Sequence, residues 1–150
     1  MKRNAVVAAV MGVAVLGTSL MVYAAKPEDG IKYRRGVMAA QGWNMGNLAA
    51  MVKGERSYDK AEFAQRAANL AALSKMAPEG FTVEGSDSGD TKAKPEVFSE
   101  MDKFKGGMDK LAVETGKLAQ VAAGGDMAAI KPQFGEVAKL CKGCHDTYRK

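Results

Sequence analysis

The sequence predicts an all-α fold, an antiparallel four-helix bundle in a single domain. Three observations carry that prediction. Helical apolar spacing recurs four times after residue 25, with no alternating β-type pattern between. Each periodic stretch is bounded by capping or breaking residues. The length suits one domain, and four amphipathic helices of such size bury their apolar faces most simply against one another.

The chain has 150 residues and a formal net charge of +5. Its first residues, MKRNAVVAAVMGVAVLGTSLMVYAA, place Lys2 and Arg3 before an apolar run that ends in Val22-Tyr23-Ala24. That is the pattern of a secretory signal peptide cleaved after Ala24. Gly12, Gly17, Thr18 and Ser19 interrupt the run, and no basic cluster follows to stop transfer, so a retained membrane anchor is the weaker reading. The mature domain is then 25–150, and losing Lys2 and Arg3 lowers the charge to about +3. Basic and acidic residues are interspersed without an aromatic-flanked basic patch, which argues against nucleic-acid binding. Export implies the periplasm as location, and an oxidising compartment in which two nearby cysteines should pair unless other chemistry consumes them.

The first predicted helix begins at Pro27 with Glu28 and Asp29 and ends near Gly54. Ile31, Met38, Met45 and Val52 stand seven apart, and Arg34, Gln41 and Leu48 fill the alternate positions of a heptad-like seam. A buried Arg34 needs an anion, so the seam hints at a charged ligand inside the bundle. Asp59 followed by Glu62 resembles a capping box for a second helix, Lys60 to Met76, with Phe63, Ala67, Leu70 and Leu73 facing inward. Pro78 closes it, and PEGFTVEGSDSGDTKAKP reads as a long crossover loop.

Pro95 and Glu96 open a third helix that runs to Gly124-Gly125, its inner face drawn from Phe98, Met101, Phe104 or Lys105, Met108, Leu111 or Ala112, Thr115 and Leu118. Asp126 caps a fourth, with Ile130, Phe134, Val137, Cys141, Cys144 and Tyr148 in its stripe. Pro132 is expected to bend that helix or to move its start to about Lys131.

The most specific feature is CKGCHDTYRK. Cys141, Cys144 and His145, the sole histidine, form the C-x-x-C-H pattern of covalent haem c attachment. On a helix the three residues share one side, so two thioethers can hold the porphyrin edge while the imidazole reaches the iron. Competing readings fit less well. Zinc wants four ligands; a redox C-x-x-C pair wants a strand–helix context; a disulfide across four residues closes too small a loop to stabilise much. With one histidine, bis-His ligation within the chain is excluded, and a second axial residue must come from an upstream helix.

KPEDGIKYRRGVM, GWNMG, MVKGE, TKAKPEVF, FGEV and CKGCHDTYRK together resemble the cytochrome c′ family over nearly the whole mature chain. The resemblance implies a haem-binding four-helix bundle with one covalent haem c per subunit. Cys141 and Cys144 match its thioether cysteines, His145 its axial iron ligand, and Arg149 its basic residue over the proximal side. Arg34 matches the residue that contacts a haem propionate. Arg35 stands where the family usually has Gln, and Asp90 and Thr91 match the loop that passes the haem edge. Met38 falls at the distal position. In cytochromes c′ that residue blocks the sixth site and leaves a five-coordinate, high-spin iron that binds nitric oxide and carbon monoxide; in the low-spin c-556-like branch a methionine ligates there instead, and the protein carries electrons. The segments KYRRGVM and GWNMG favour the first.

No acid–base pair or nucleophile is visible, so the sequence does not suggest an enzyme. Gly36, Ala40, Trp43, Asn47 and Ala50 form a second, uncharged stripe on the first helix. Since the family commonly dimerises through that helix, a homodimer is expected, with small gases and redox proteins as further partners.

Overall fold

The computed structural model describes residues 25–150; the predicted leader, 1–24, lies outside the described residues. Its helices are α1 (Pro27–Lys53), α2 (Lys60–Met76), the four-residue α3 (Glu96–Ser99), α4 (Met101–Gly124) and α5 (Met127–Tyr148), with a 3-10 turn at Ala77–Phe81. Among the described residues the only β-type pairing is a bridge between Ala93 and Arg149.

The predicted punctuation forms for the expected reasons. Pro27 occupies the first turn of α1, where its missing N–H costs nothing, and Gly54 ends the helix in the left-handed region at φ 77°. The Asp59 carboxylate accepts from the Glu62 N–H at 2.8 Å and starts α2. Gly125, also at φ 77°, closes α4, and Asp126 caps α5 by accepting from the Ala128 N–H at 2.8 Å.

α2 lies between α1 and α4, α4 packs on α5, and α5 does not pack closely along α1. Two apolar clusters divide the bundle lengthwise. The first joins Leu48 and Met51 of α1, Phe63, Ala67 and Leu70 of α2, Leu118 and Ala122 of α4, and Ile130, Phe134 and Val137 of α5. Each large side chain sealed there contributes about 1.5–3 kcal/mol of transfer free energy. The second joins Val37, Ala77, Phe81, Val97, Phe104 and Met108, with half-buried Met38, Leu73, Met101, Leu111, Cys144 and Tyr148 around it.

Three expectations are corrected. The α1 seam is rotated: Val37, Asn44 and Met51 are buried, while Met38, Met45 and Val52 are half-buried. The buried set keeps the seven-residue spacing one position earlier on that side, while Ile31, Arg34, Gln41 and Leu48 are buried as expected, and Asn44 tolerates burial because its amide donates to the Ala40 carbonyl at 2.9 Å. On α2, Ser74 rather than Leu73 is sealed, its hydroxyl donating to the Leu70 carbonyl at 2.8 Å. The third predicted helix is two, broken at Glu100 (φ −114°, ψ 38°). There the Glu100 carboxylate accepts from Lys103 at 3.0 Å and from the Tyr148 hydroxyl at 3.3 Å.

Nor does Pro132 delay α5, which starts at Met127 and runs through it. The proline withholds only the bond to the Ala128 carbonyl, and both residues are exposed, so water can serve that oxygen.

Candidate functional site

The last two turns of α5 and the first half of α1 meet at the second cluster. Cys141 packs against the first cluster and Cys144 against the second, so the pair straddles the boundary between them. Both thiols are free and half-buried. Burial raises both pKa values, with Cys144 adding to the rise at Cys141, so the thiols are neutral at pH 7. His145 is exposed at the next position; crowding from its surroundings lowers its pKa, the Arg149 guanidinium lowers it further, and Asp146 opposes. An imidazole held neutral is in the form that can ligate a metal.

Met38 shares the second cluster with Cys144, although the two are more than a hundred positions apart. The same cluster holds Val37, Leu73, Phe104, Met108 and Leu111, together with Tyr33 and Tyr148.

Three successive α1 residues hold the crossover. The Tyr33 hydroxyl donates to Glu79 at 2.9 Å. Arg34, 3% exposed, donates to the Gly80 carbonyl at 3.0 Å, to the Ser86 hydroxyl at 3.0 Å, to the Ser86 carbonyl at 2.5 Å and to the Thr91 hydroxyl at 2.8 Å. Its guanidinium also lies over the Phe81 and Phe98 rings at 5.2 and 5.6 Å. Burial lowers its pKa and Asp87 opposes, but a guanidinium starts so high that the group stays cationic at pH 7. Arg35 pairs with exposed Asp90 on the surface.

Arg34, Arg35, Asp90 and Thr91, singled out separately in the sequence, therefore form two adjacent arginine–loop contacts. The sequence hinted at an anion for Arg34; the partners found are neutral oxygens and two aromatic faces. Arg149, exposed, extends α5 by one bond from its N–H to the His145 carbonyl at 3.2 Å. Ser86, Gly80 and Lys94 were not anticipated. They sit in or beside a loop without periodicity, where only the fold reveals that Ser86 is fully buried.

Two unpaired neutral thiols one helical turn apart, with a neutral imidazole beside them and an apolar wall from another helix, match the demands of a porphyrin attached through two thioethers. α1 and α5, which bear the two sides of that wall, are not packed against each other along their lengths. The class is therefore a helical c-type haem protein. Comparison with known proteins narrows it. The sequence model of the family described as Cytochrome C' matches residues 29–149. A cytochrome c' of Halomonas halodenitrificans is 40% identical over 130 residues, 83% of this chain and 98% of the relative. Among solved structures, cytochrome c prime from Shewanella frigidimarina superposes with a TM-score of 0.80 at 40% identity, covering 83% of this chain and 97% of the other. A nitrosyl complex of a cytochrome c prime variant from Alcaligenes xylosoxidans gives 0.77 at 33% identity, covering 84% and 98%.

The chain belongs to the cytochrome c′ family. Covalent haem c is the family's cofactor, and Cys141 and Cys144 are the residues that would hold it here. When bound, haem would supply a redox-active iron. His145 is the residue of this chain suited to ligate it.

Proposed function

We propose that the protein is an exported, periplasmic haem protein with a five-coordinate, high-spin iron that takes up nitric oxide and carbon monoxide and also exchanges electrons. The observation that carries the reading is the placing of Met38 inside an apolar cluster that includes Cys144. A crowded, mainly apolar pocket favours small neutral diatomics over anions. A variant of the Alcaligenes xylosoxidans relative forms a nitrosyl complex, which supports the same chemistry here. Binding and electron exchange, rather than catalysis, are the proposed activities.

The same residue favours a second reading. The half-buried Met38 thioether, packed on the cluster that Cys144 also joins, would as a sixth ligand give a low-spin, c-556-like electron carrier. Optical and resonance Raman spectra of the ferrous protein, with and without nitric oxide, separate the two. A high-spin spectrum that converts on adding gas supports the proposal; a six-coordinate low-spin spectrum beforehand assigns Met38 as ligand and overturns it.

The proposed assembly is an isologous homodimer through α1. Trp43 is 68% exposed there, the largest exposed aromatic among the described residues, flanked by small Gly36 and Ala40. Such an apolar patch is a contact surface in need of a partner. Sedimentation at micromolar concentration should show a dimer that Trp43→Glu dissociates; a monomeric parent protein would sink the idea.

A further inference from the structure

The crossover ends in a strap that the sequence does not announce. Ala93 bridges Arg149, the Lys94 N–H donates to the Tyr148 carbonyl at 2.9 Å, and the Lys150 N–H donates to the Lys92 carbonyl at 2.8 Å. The Lys94 ammonium also donates to the carbonyls of Asp146 and Thr147 at 3.3 and 3.1 Å. These belong to the last turn of α5, whose carbonyls have no partner within the helix.

The electrostatic consequence is larger than the structural one. The strap sets Lys92 and Lys94 beside Lys142, Arg149 and Lys150, around His145. Five cations then face one carboxylate, Asp146, which Lys142 pairs at 2.5 Å. The flanking acids have their own cations, Asp90 with Arg35 and Glu100 with Lys103. The side-chain charge of this end, before the terminal carboxylate and the haem propionates are added, is about +4, against about +3 for all of 25–150, so the remainder of the molecule is close to neutral.

We propose that this cationic end is the docking face for an acidic redox protein, seated around Cys141, Cys144 and His145. Like charge gathered around the electron-exchanging group raises the encounter rate and orients the partner with its own redox centre toward the haem. A protein is favoured over an anionic membrane because surface-bound helices join basic residues to apolar anchors. The large exposed apolar residues among those described are Trp43, Met76 and Val113, none of them on the strap or on α5. The proposal rests on covalent haem and not on gas binding, so a spectrum that overturned the gas reading would leave this test intact.

The first test uses the haem-loaded, reduced protein with two oxidants of opposite charge, hexacyanoferrate(III) and tris(phenanthroline)cobalt(III). Each accepts one electron, the iron passing from ferrous to ferric, without proton transfer. The rate with the anion should fall about tenfold between 10 mM and 200 mM salt, and the rate with the cation should rise. Lys92→Gln combined with Lys150→Gln should slow the anion about threefold at low salt. Lys60→Gln combined with Lys131→Gln removes the same charge at the far end of the bundle. Lys60 lies beside Gly125, about 35 Å along α4 from Met101, and Lys131 lies about 21 Å along α5 from His145, two or more screening lengths at 0.1 M salt although within about one at 10 mM. Measured at 0.1 M salt, that control should be within a factor of about 1.3 of the parent. Equal slowing by both pairs, or rates independent of salt, would overturn the proposal.

The second test does not involve electron transfer. Lysine acetylation in the presence of polyglutamate, read by mass spectrometry, should show Lys92, Lys142 and Lys150 protected severalfold and Lys60 and Lys131 unprotected. Uniform protection overturns the docking face. Stronger protection by vesicles containing anionic phospholipid than by polyglutamate overturns the choice of a protein partner.

Discussion

At the scale of single residues, Arg34 carries the most consequence for its size. Its guanidinium converts a crossover without regular structure into a fixed wall, through four hydrogen bonds and two ring faces. Arg34→Ala leaves Ser86 and the Gly80 carbonyl without their donor in a buried place. It should lower stability by about 3 kcal/mol in denaturant titrations, with proteolysis first appearing in 82–91. Gly80 shows the same closeness from the other side: an added Cβ would meet the Arg34 Cβ at 2.6 Å and its backbone nitrogen at 2.9 Å. Gly80→Ala should therefore cost about 1–3 kcal/mol although its φ is ordinary, since two backbones must part. That Arg34 would be buried was legible, because it interrupts an apolar seam. What it bonds was not legible, since carbonyls and hydroxyls from 80–91 leave no pattern in the sequence.

At the scale of elements, caps and turns are the best-read features and continuity the worst. Asp59, Asp126, Gly54 and Gly125 end or begin helices where their local chemistry says they should. Pro132 and Glu100 do not follow local rules. Pro132 remains within α5 because Phe134 and Val137 beyond it and Ile130 before it belong to one buried cluster. Pro132→Ala restores the missing donor and should stabilise the protein by about 1–2 kcal/mol, seen as a raised denaturation midpoint.

The α1–α2 connection makes a pH prediction. Arg56 first, then Arg66, bond the Glu62 carboxylate and hold its pKa below the ordinary 4.5. A carboxylate depressed in the folded state stabilises fully above its unfolded pKa and loses that contribution as pH falls through the folded value. Stability should accordingly decline from about pH 4.5 downward, and Glu62→Gln should flatten that part of the acid titration.

At the scale of the whole molecule, the two clusters differ in size. The first has ten buried residues drawn from four helices and the second six, each with half-buried residues packed against it, Cys141 on the first and Cys144 on the second. A cofactor anchored by the cysteines is then part of the core. Cys141→Ser with Cys144→Ser should release the colour to acid-acetone extraction and lower the thermal midpoint by about 10 °C; a midpoint equal to that of the parent would show that the second cluster is complete without the anchor.

Periodicity and caps by themselves determined four helical stretches within a single domain, and C-x-x-C-H determined the cofactor, since both signals are local: a helix repeats every 3.6 residues, and thioether attachment needs cysteines one turn apart. Tertiary structure alone decided that Met38 shares a cluster with Cys144, that Arg34 grips Ser86 and Thr91, that Glu100 divides α3 from α4, and that Lys92 and Lys94 join the cations at the end of α5. Those pairings span from about fifty to more than a hundred residues, and each depends on which faces of the bundle close on one another, a choice made by packing rather than by neighbours along the chain.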